Sequence, residues 1–363
     1  MSLVPKHIKN LSAYKPGKTI ESVKKRYNID KIIKLASNEN PIGPSLKSIS
    51  AAVNVLNDSH RYPDASGLAL RQKLANKFNI KINNVVLGSG SEGIMSSIMR
   101  TFLGENDELI SAENSFIGFR VLANASGKKI NWVPKINYKY DLQGIVDQIN
   151  KNTKIIYIAN PDNPTGTYIN KDEFDFFIDK VPSRVLVILD EAYFEYAKKN
   201  QDYPDSMLYR YDNVITLRTF SKVYGLAGFR VGYGFAHHEL IQNLMKVKLP
   251  FEPSSVSQEA AIAALDDLEH LDKTIQLNES EMNLMISYLN EIEIDFIPSV
   301  ANFITIVFES RDNVINLVQY LLENGIIIRD LIGFGLPNCI RVSIGTKKEN
   351  KIFINKVKEY LSK

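Results

Sequence analysis

Cysteine and clustered histidine are scarce in this 363-residue sequence. It contains one cysteine, Cys339, so a disulfide bond within the chain is excluded. The five histidines show no spacing typical of metal ligands, and we expect no metal centre. So little cysteine is compatible with a reducing compartment, and we expect a cytoplasmic protein.

Long apolar runs and a concentrated basic patch are also missing. The N-terminal segment MSLVPKHIKN lacks the apolar stretch of a secretion signal, and nowhere do about 18 apolar residues run together, as a membrane-spanning helix requires. The 44 basic and 41 acidic residues give a net charge of +3 that is spread along the chain. We therefore expect neither membrane nor nucleic-acid partners.

Hydrophobic residues make up 44% of the chain and charged residues 23%, which is typical of globular proteins. Apolar segments that suit strands alternate with helical segments; the strand-like segments are 85–87, 108–111, 154–159, 185–189 and 214–217. This alternation predicts an α/β fold with a mostly parallel central sheet flanked by helices, and a ligand site at the carboxyl ends of the strands.

The segment composition predicts three parts. Residues 1–45 are rich in Lys, Asn, Pro and Gly and are interpreted as an N-terminal arm. Residues 46–255 contain the alternating pattern and form the predicted large domain. Residues 256–363 contain a long helical stretch at 258–290 that is followed by strands, which predicts a smaller α+β domain.

The glycine-rich segment GSGSEG at 88–93 follows a predicted strand and precedes a predicted helix. It has the GxGxxG spacing of dinucleotide-binding folds, and Glu113, twenty residues after Gly93, would be the ribose-binding acid of such a fold. A simple tight turn is the alternative. In either case the backbone N–H groups of the following helix favour an anion such as a phosphate.

Hydroxyl and cationic side chains are concentrated in LRTFSKVYGLAGFRVGYGFA at 217–236, which contains Thr219, Ser221, Lys222 and Arg230. Such a set suits a phosphate group. Two other segments end apolar strands with polar residues: VLVILDEAY provides Asp190 and Tyr193, and IANPDNPTG provides Asn163. A buried aspartate at a strand end needs a cationic partner, although capping of the next helix would also explain it.

A lysine for a Schiff base and an acid for a pyridinium nitrogen are the protein groups that pyridoxal phosphate (PLP) chemistry requires. The order and spacing of these three segments resemble the class I/II aminotransferases of fold-type I. The resemblance implies that Lys222 binds PLP covalently and moves the substrate proton, with Asp190 at the ring nitrogen and Tyr193 and Asn163 at the ring oxygen O3′. It also implies that Phe116 stacks on the ring, and that the phosphate is held by Ser91, Glu92, Thr219, Ser221, Arg230 and Tyr62. Tyr62 would come from the neighbouring subunit, which implies a homodimer with the arm packed on the small domain and the partner.

A narrower resemblance is to the histidinol-phosphate aminotransferase family. It is carried by NLSAYKPGK at 10–18, LASNENPIGPS at 35–45, RYPD at 61–64 and IRVSIGT at 340–346. It implies transamination between small substrates, a phosphorylated amine and 2-oxoglutarate, with Tyr14, Asn38, Arg329 and Arg341 on the substrate side. The chain departs from the family at ENSF (113–116), where a proline more often precedes the stacking aromatic, and at Phe119, where tyrosine is common.

Several alternatives remain open from the sequence. An aromatic amino-acid aminotransferase and a PLP lyase such as threonine-phosphate decarboxylase would share most cofactor residues. A non-catalytic PLP-binding module would have no need for Lys222 together with two substrate-side arginines. An NAD-dependent dehydrogenase would explain GSGSEG and Glu113 but would leave Lys222 and Asp190 without a function.

Overall fold

The computed structural model describes residues 3–13 and 16–362. Its strands are β1 (Ile33–Lys34), β2 (Val85–Gly88), β3 (Glu108–Ala112), β4 (Lys129–Val133), β5 (Thr153–Ala159), β6 (Leu186–Asp190), β7 (Val214–Thr219), β8 (Gly232–Phe235), β9 (Phe296–Ile297), β10 (Phe303–Val307), β11 (Ile326–Ile327), β12 (Arg329–Asp330) and β13 (Cys339–Ser343).

Its α-helices are α1 (Lys6–Lys9), α2 (Ile20–Tyr27), α3 (Leu46–Asn54), α4 (Leu68–Lys77), α5 (Gly90–Phe102), α6 (Ile117–Ala125), α7 (Leu142–Asp147), α8 (Lys171–Ile178), α9 (Phe194–Ala197), α10 (Ser206–Tyr209), α11 (His238–Val247), α12 (Ser255–Asp266), α13 (Leu268–Glu291), α14 (Arg311–Glu323) and α15 (Lys347–Leu361). Short 3₁₀ turns lie at Leu56–Asp58, Ile82–Asn84, Ala227–Phe229 and Ile332–Phe334.

A seven-stranded sheet forms the centre of the fold, in the order β2-β8-β7-β6-β5-β3-β4. Its strands run parallel except β8, which is antiparallel to both β2 and β7. Successive residues of β5 point to opposite faces, because side chains alternate along a strand. Tyr157 packs with Ile94 and Phe119 on one face, and Ile158 packs with Phe174 on the other. Helices thus cover both faces, which confirms the predicted α/β fold class.

A second, four-stranded antiparallel sheet lies in the C-terminal part, in the order β12-β13-β10-β9. Its apolar face packs against α13, α14 and α15 through Met285, Leu317 and Phe353. The N-terminal segment is attached to this part, since β1 pairs with β11 in parallel and the Ser343 N–H donates to the Leu35 carbonyl at 2.9 Å.

The change from one core to the other falls along α13. Ala260 and Leu265 of α12 pack with Leu70 in the core beside the large sheet, whereas Met282 and Leu289 of α13 pack in the core of the small sheet. We therefore propose a domain boundary within α13 rather than at 255/256. The three-part division itself stays a prediction.

Two features are absent from the described residues. Within residues 3–13 and 16–362, no helix combines the length and the apolar character needed to cross a membrane. The same residues contain no group of three or more His, Cys, Asp or Glu side chains that could hold a metal ion.

Candidate active site

A cavity lies at the carboxyl ends of β5, β6 and β7, where a doubly wound sheet places its ligand. The sequence predicted ten cofactor residues on this chain besides Tyr62, and all ten line this cavity: Ser91, Glu92, Phe116, Asn163, Asp190, Tyr193, Thr219, Ser221, Lys222 and Arg230. Their roles stay a prediction, but the fold brings them together from five separate segments of the chain.

Asp190 is the last residue of β6 and is almost fully buried. Its Oδ2 accepts a hydrogen bond from the Tyr157 hydroxyl at 2.9 Å, and its Oδ1 accepts one from the Ala192 N–H at 3.2 Å. Burial raises the pKa of Asp190 to about 6, although both hydrogen bonds oppose the rise. A cationic ring nitrogen in the cavity would therefore stabilise the carboxylate.

Lys222 follows β7 and is partly buried, with its Nζ 5.5 Å from the centre of the Tyr193 ring. Burial, and after it the positive charge of Arg341, lowers the pKa of Lys222 to about 8. A lysine with such a pKa has a larger share of free amine near neutral pH, as a nucleophile or a general base requires.

The candidate phosphate site is formed by the N-terminus of α5 and the loop after β7. Glycine is required where these elements meet, because a Cβ at Gly232 would lie 2.5 Å from the Ser91 backbone nitrogen. The first N–H groups of a helix have no partner within it and attract anions. The Thr219 hydroxyl donates to the Ser221 hydroxyl at 3.0 Å, which places two hydroxyl groups at this end of the cavity.

Arg230 lies beside this site in the left-handed backbone region, with φ of 51°. Its Nη2 donates to the Glu92 carboxylate at 3.2 Å and its Nη1 to the Ser221 hydroxyl at 3.5 Å. Since the carboxylate of Glu92 would repel an anion, only the backbone of Glu92 suits a phosphate contact. The cradle of glycines, N–H groups, hydroxyls and one guanidinium fits the phosphate end of PLP.

The two aromatic residues of α6 singled out in the sequence have different positions. Phe116 caps the N-terminus of α6 and lines the cavity, as ring stacking requires. Phe119 is buried in the core, where its ring stacks on Tyr157 with centroids 4.0 Å apart and planes 7° apart. The departure at Phe119 therefore affects the packing beneath Asp190, and not the wall of the cavity.

The substrate-side residues are connected to the cofactor residues by hydrogen bonds. Asn38 Nδ2 donates to the Tyr193 hydroxyl at 2.8 Å. Arg341 Nη1 donates to Asn163 Oδ1, and its Nη2 donates to the Ala36 carbonyl at 2.9 Å. Both Asn38 and Arg341 are buried. The small sheet and the N-terminal segment are thus hydrogen-bonded to residues that line the cavity.

Arg329 and Arg341 lie opposite each other on the adjacent strands β12 and β13. Each guanidinium also lies 5.7 Å from the centre of the Phe334 ring. Two cations on one face of a sheet repel each other, so an anion between them would be stabilising.

Four predicted residues that the structure describes are not among those lining this cavity: Asn38, Tyr62, Arg329 and Arg341. Tyr14 lies outside the described residues. Tyr62 is 81% exposed, and its ring stacks on Phe251 with centroids 4.3 Å apart. An exposed aromatic pair suits the predicted role of Tyr62 at a neighbouring subunit's site.

Sequence reasoning missed two groups beneath the cavity. Tyr157 lies in the apolar run of β5. The only indication of its position in the sequence was a hydroxyl group within an apolar strand. Asp162, in the segment IANPDNPTG, is fully buried and pairs with Lys135 at 2.5 Å. Its carboxylate shortly after an apolar strand was a signal, whereas nothing in the sequence pointed to Lys135.

The cavity joins a lysine with a lowered pKa, a buried aspartate and an anion cradle at the strand ends of a doubly wound sheet. These features place the protein in the class of PLP-dependent enzymes of fold-type I.

The sequence matches the family described as Aminotransferase class I and II over residues 30–357, and the chain belongs to that family. Similar curated proteins include histidinol-phosphate aminotransferase 1 of Nitrosococcus oceani, 41% identical over 96% of this chain and 94% of that protein. Another is histidinol-phosphate aminotransferase of a Geobacillus species, 40% identical over 98% of this chain and 97% of that protein. Among solved structures, histidinol-phosphate aminotransferase from Sinorhizobium meliloti in complex with pyridoxal-5'-phosphate superimposes with a TM-score of 0.90, at 26% identity, and covers 99% of this chain and 97% of its own.

Proposed function

We propose that this chain uses PLP to transfer the amino group of L-histidinol phosphate to 2-oxoglutarate, giving imidazole acetol phosphate and glutamate in histidine biosynthesis. The observation that carries the proposal is the meeting of Lys222 and Asp190 in one cavity whose residue Asn163 is bound by Arg341. Relatives named for this activity, at about 40% identity over nearly the whole chain, support the choice of substrate.

Bound PLP would supply an electron sink for the electron pair that remains when the substrate loses its α-proton. Lys222 would hold the cofactor and, once displaced by the substrate amine, its Nζ would take that proton and return it on the other side of the C–N bond. Asp190 would keep the ring nitrogen protonated. The Tyr193 hydroxyl and the Asn163 amide would bind the ring oxygen O3′.

Two substrates must use the same cavity in turn. A guanidinium can bind a phosphate or a carboxylate through two parallel hydrogen bonds. Arg341, with Arg329 opposite it, would therefore hold the phosphate of histidinol phosphate in one half-reaction and a carboxylate of 2-oxoglutarate in the other. Asn38 would orient the substrate through Tyr193, and Tyr14 stays a predicted substrate contact.

The active form is proposed to be a homodimer in the cytoplasm. The exposure of Tyr62 and its absence from the cavity of its own chain support a contact between Tyr62 of the partner subunit and the cofactor phosphate. The cytoplasmic location rests on the cysteine usage of the sequence.

The test is to incubate the PLP-loaded enzyme with L-histidinol phosphate and 2-oxoglutarate and to follow glutamate. We expect a kcat/KM at least ~10-fold higher than with phenylalanine or tyrosine, because their carboxylate offers the arginines less negative charge and fewer acceptor oxygens than a phosphate does. Lys222→Ala is the inactive control. Faster turnover of the aromatic amino acids, or release of CO₂ from O-phosphothreonine instead of glutamate formation, would overturn the proposal.

A further inference from the structure

A tyrosine outside the cavity is bonded to the residue proposed to face the cofactor nitrogen. Tyr157 of β5 is fully buried and is not among the residues that line the cavity. Its hydroxyl donates to Asp190 Oδ2 at 2.9 Å. Ala159 pairs with Asp190 across β5 and β6, so Tyr157, two residues earlier on the same face, is its diagonal neighbour.

The ring of Tyr157 is held independently of this hydrogen bond. It stacks on Phe119 of α6 with centroids 4.0 Å apart. The Ser111 hydroxyl donates to the backbone carbonyl of Tyr157 at 3.0 Å. Stacking and strand pairing fix the ring, so the hydroxyl is presented to Asp190 without any contribution from a bound ligand.

We propose that Tyr157 is a positioning residue for transamination, which fixes the plane of the Asp190 carboxylate and holds it ionised toward the cofactor nitrogen. The inference rests on the proposed function, because it assigns to Asp190 the partner that PLP provides. Tyr157 touches neither substrate nor cofactor and acts only through Asp190.

The reason lies in how each carboxylate oxygen is occupied. Oδ1 accepts from the Ala192 N–H and Oδ2 from Tyr157, so the two bonds together set the orientation of the group. Burial and the nearby charge of Glu92 raise the pKa of Asp190, whereas the hydroxyl of Tyr157, the Ala192 N–H and the charge of Lys222 lower it. Burial also raises the pKa of the Tyr157 phenol, so it remains a donor. Without this donor, Asp190 would be more basic and would compete with the ring nitrogen for the proton.

The variant Tyr157→Phe removes the hydroxyl and keeps the stacked ring. We expect kcat to fall about 10-fold, with KM for both substrates and PLP affinity changed less than about 2-fold, because the lost bond acts on the reacting state. The matched control is Tyr233→Phe in β8, a buried tyrosine whose hydroxyl has no hydrogen-bond partner among the described residues. An unchanged kcat in Tyr157→Phe, or an equal loss in Tyr233→Phe, would overturn the inference.

A second measurement avoids the cofactor. In PLP-free protein with ¹³C-labelled aspartate, the Asp190 carboxyl signal, assigned with Asp190→Asn, is titrated by NMR. Tyr157→Phe should raise its midpoint by about one pH unit, as loss of one charge-assisted bond implies. An unchanged midpoint would reduce Tyr157 to a packing residue.

Failure of the proposed substrate would look different. If the wild-type enzyme is inactive with histidinol phosphate, the proposed substrate is refuted. If Tyr157→Phe still shows the shifted Asp190 midpoint and a slower glutamate half-reaction, the role of Tyr157 is supported.

Discussion

Burial and the charges around Lys222 together determine the pH at which its amine becomes free. Burial, Arg341 and Arg230 lower the pKa of Lys222, Glu39 and Asp190 raise it, and the result is a pKa of about 8. At pH 7, a pKa of about 8 leaves roughly a tenth of the amine unprotonated, far more than an ordinary lysine has. Lys222 can therefore react with an aldehyde near neutral pH.

The rate at which PLP-free enzyme takes up PLP should rise with pH through a midpoint near the pKa of Lys222, about 8. Arg341→Met should move this midpoint upward. The variant removes the positive charge that lowers the pKa of Lys222 most, and so it stabilises the protonated form of the lysine. Uptake is followed by cofactor absorbance over a pH series. Arg329→Met, on the edge strand β12, is the control and should shift the midpoint less. An unmoved midpoint in Arg341→Met would contradict the charge argument.

The proposed roles of Arg341 and Arg329 can be distinguished by measuring each substrate separately. Arg341→Ala should lower kcat/KM at least ~10-fold in both half-reactions, because a lost bidentate contact to an anion is worth roughly 1.5–3 kcal/mol. Arg341→Lys should recover only part, since a point charge cannot reproduce the planar fork. Stopped-flow measurement of each half-reaction shows which substrate anions Arg341 binds. A variant impaired with glutamate but normal with histidinol phosphate would leave Arg341 with carboxylate binding only and favour Arg329 as the phosphate ligand.

At the scale of elements, one buried carboxylate joins two loops of the cavity. Asp162 lies in the loop after β5, next to Asn163, and its Oδ1 accepts from Ser115 in the loop before α6, next to Phe116, at 2.6 Å. Its Oδ2 accepts from Thr165 at 2.7 Å and from Lys135 at 2.5 Å. The loops that carry Phe116 and Asn163, which are proposed to stack on the ring and to bind O3′, are therefore held by the same group.

Replacing only the lysine of the Lys135–Asp162 ion pair should destabilise the protein more than replacing both residues. Lys135→Met leaves the Asp162 charge buried without its cation, which costs about 3 kcal/mol of unfolding free energy. Combining Lys135→Met with Asp162→Asn should cost less than the single change, because no uncompensated charge remains. Urea unfolding of the PLP-free protein measures both. The exposed pair Lys356–Glu359 provides the control, and Lys356→Met should cost less than about 1 kcal/mol. Strictly additive effects of the two buried changes would contradict the pairing.

Elements with strong apolar patterns were predictable from the sequence. The strand predicted at 108–111 is Glu108–Ala112, and the one predicted at 154–159 is Thr153–Ala159. The helical stretch predicted from 258 to 290 is two helices, because Asp267 ends α12 and its side chain caps α13.

Strand β8 was missed because its sequence, GYGF, has glycines that carry no strand preference. Only the fold explains them, since α5 approaches the backbone of Gly232 too closely for a side chain. The motif residues at the strand ends could be assigned to one candidate site, because the carboxyl ends of parallel strands lie at the same edge of a sheet. The support beneath the site, Tyr157 and Lys135, depends on contacts between segments that sequence spacing does not encode.

At the scale of the whole molecule, the cavity and the exposed Tyr62 suggest how two chains would depend on each other. Tyr62 and Phe251 form a stacked pair with a large exposed surface, and Leu249 and Leu68 nearby along the chain are also exposed. Exposed apolar clusters of this kind mark protein contacts. If the proposed dimer has twofold symmetry, each Tyr62 reaches the other subunit's cofactor phosphate, and each site needs both chains.

Mixing two defective variants tests this dependence. Lys222→Ala subunits lack the reactive amine, and Tyr62→Ala subunits lose the phosphate contact and are assayed at a PLP concentration that leaves their homodimers largely empty. After unfolding and refolding together in equal amounts, about half of the dimers are mixed, and each has one site with both residues intact, so about a quarter of wild-type activity should return. If Tyr62 served its own chain, every site in the mixed dimer would carry one defect and no activity would return. Refolding each variant alone is the control. Recovery in the mixture alone would thus locate Tyr62 across the subunit boundary, and an active monomer in sedimentation would contradict the dimer outright.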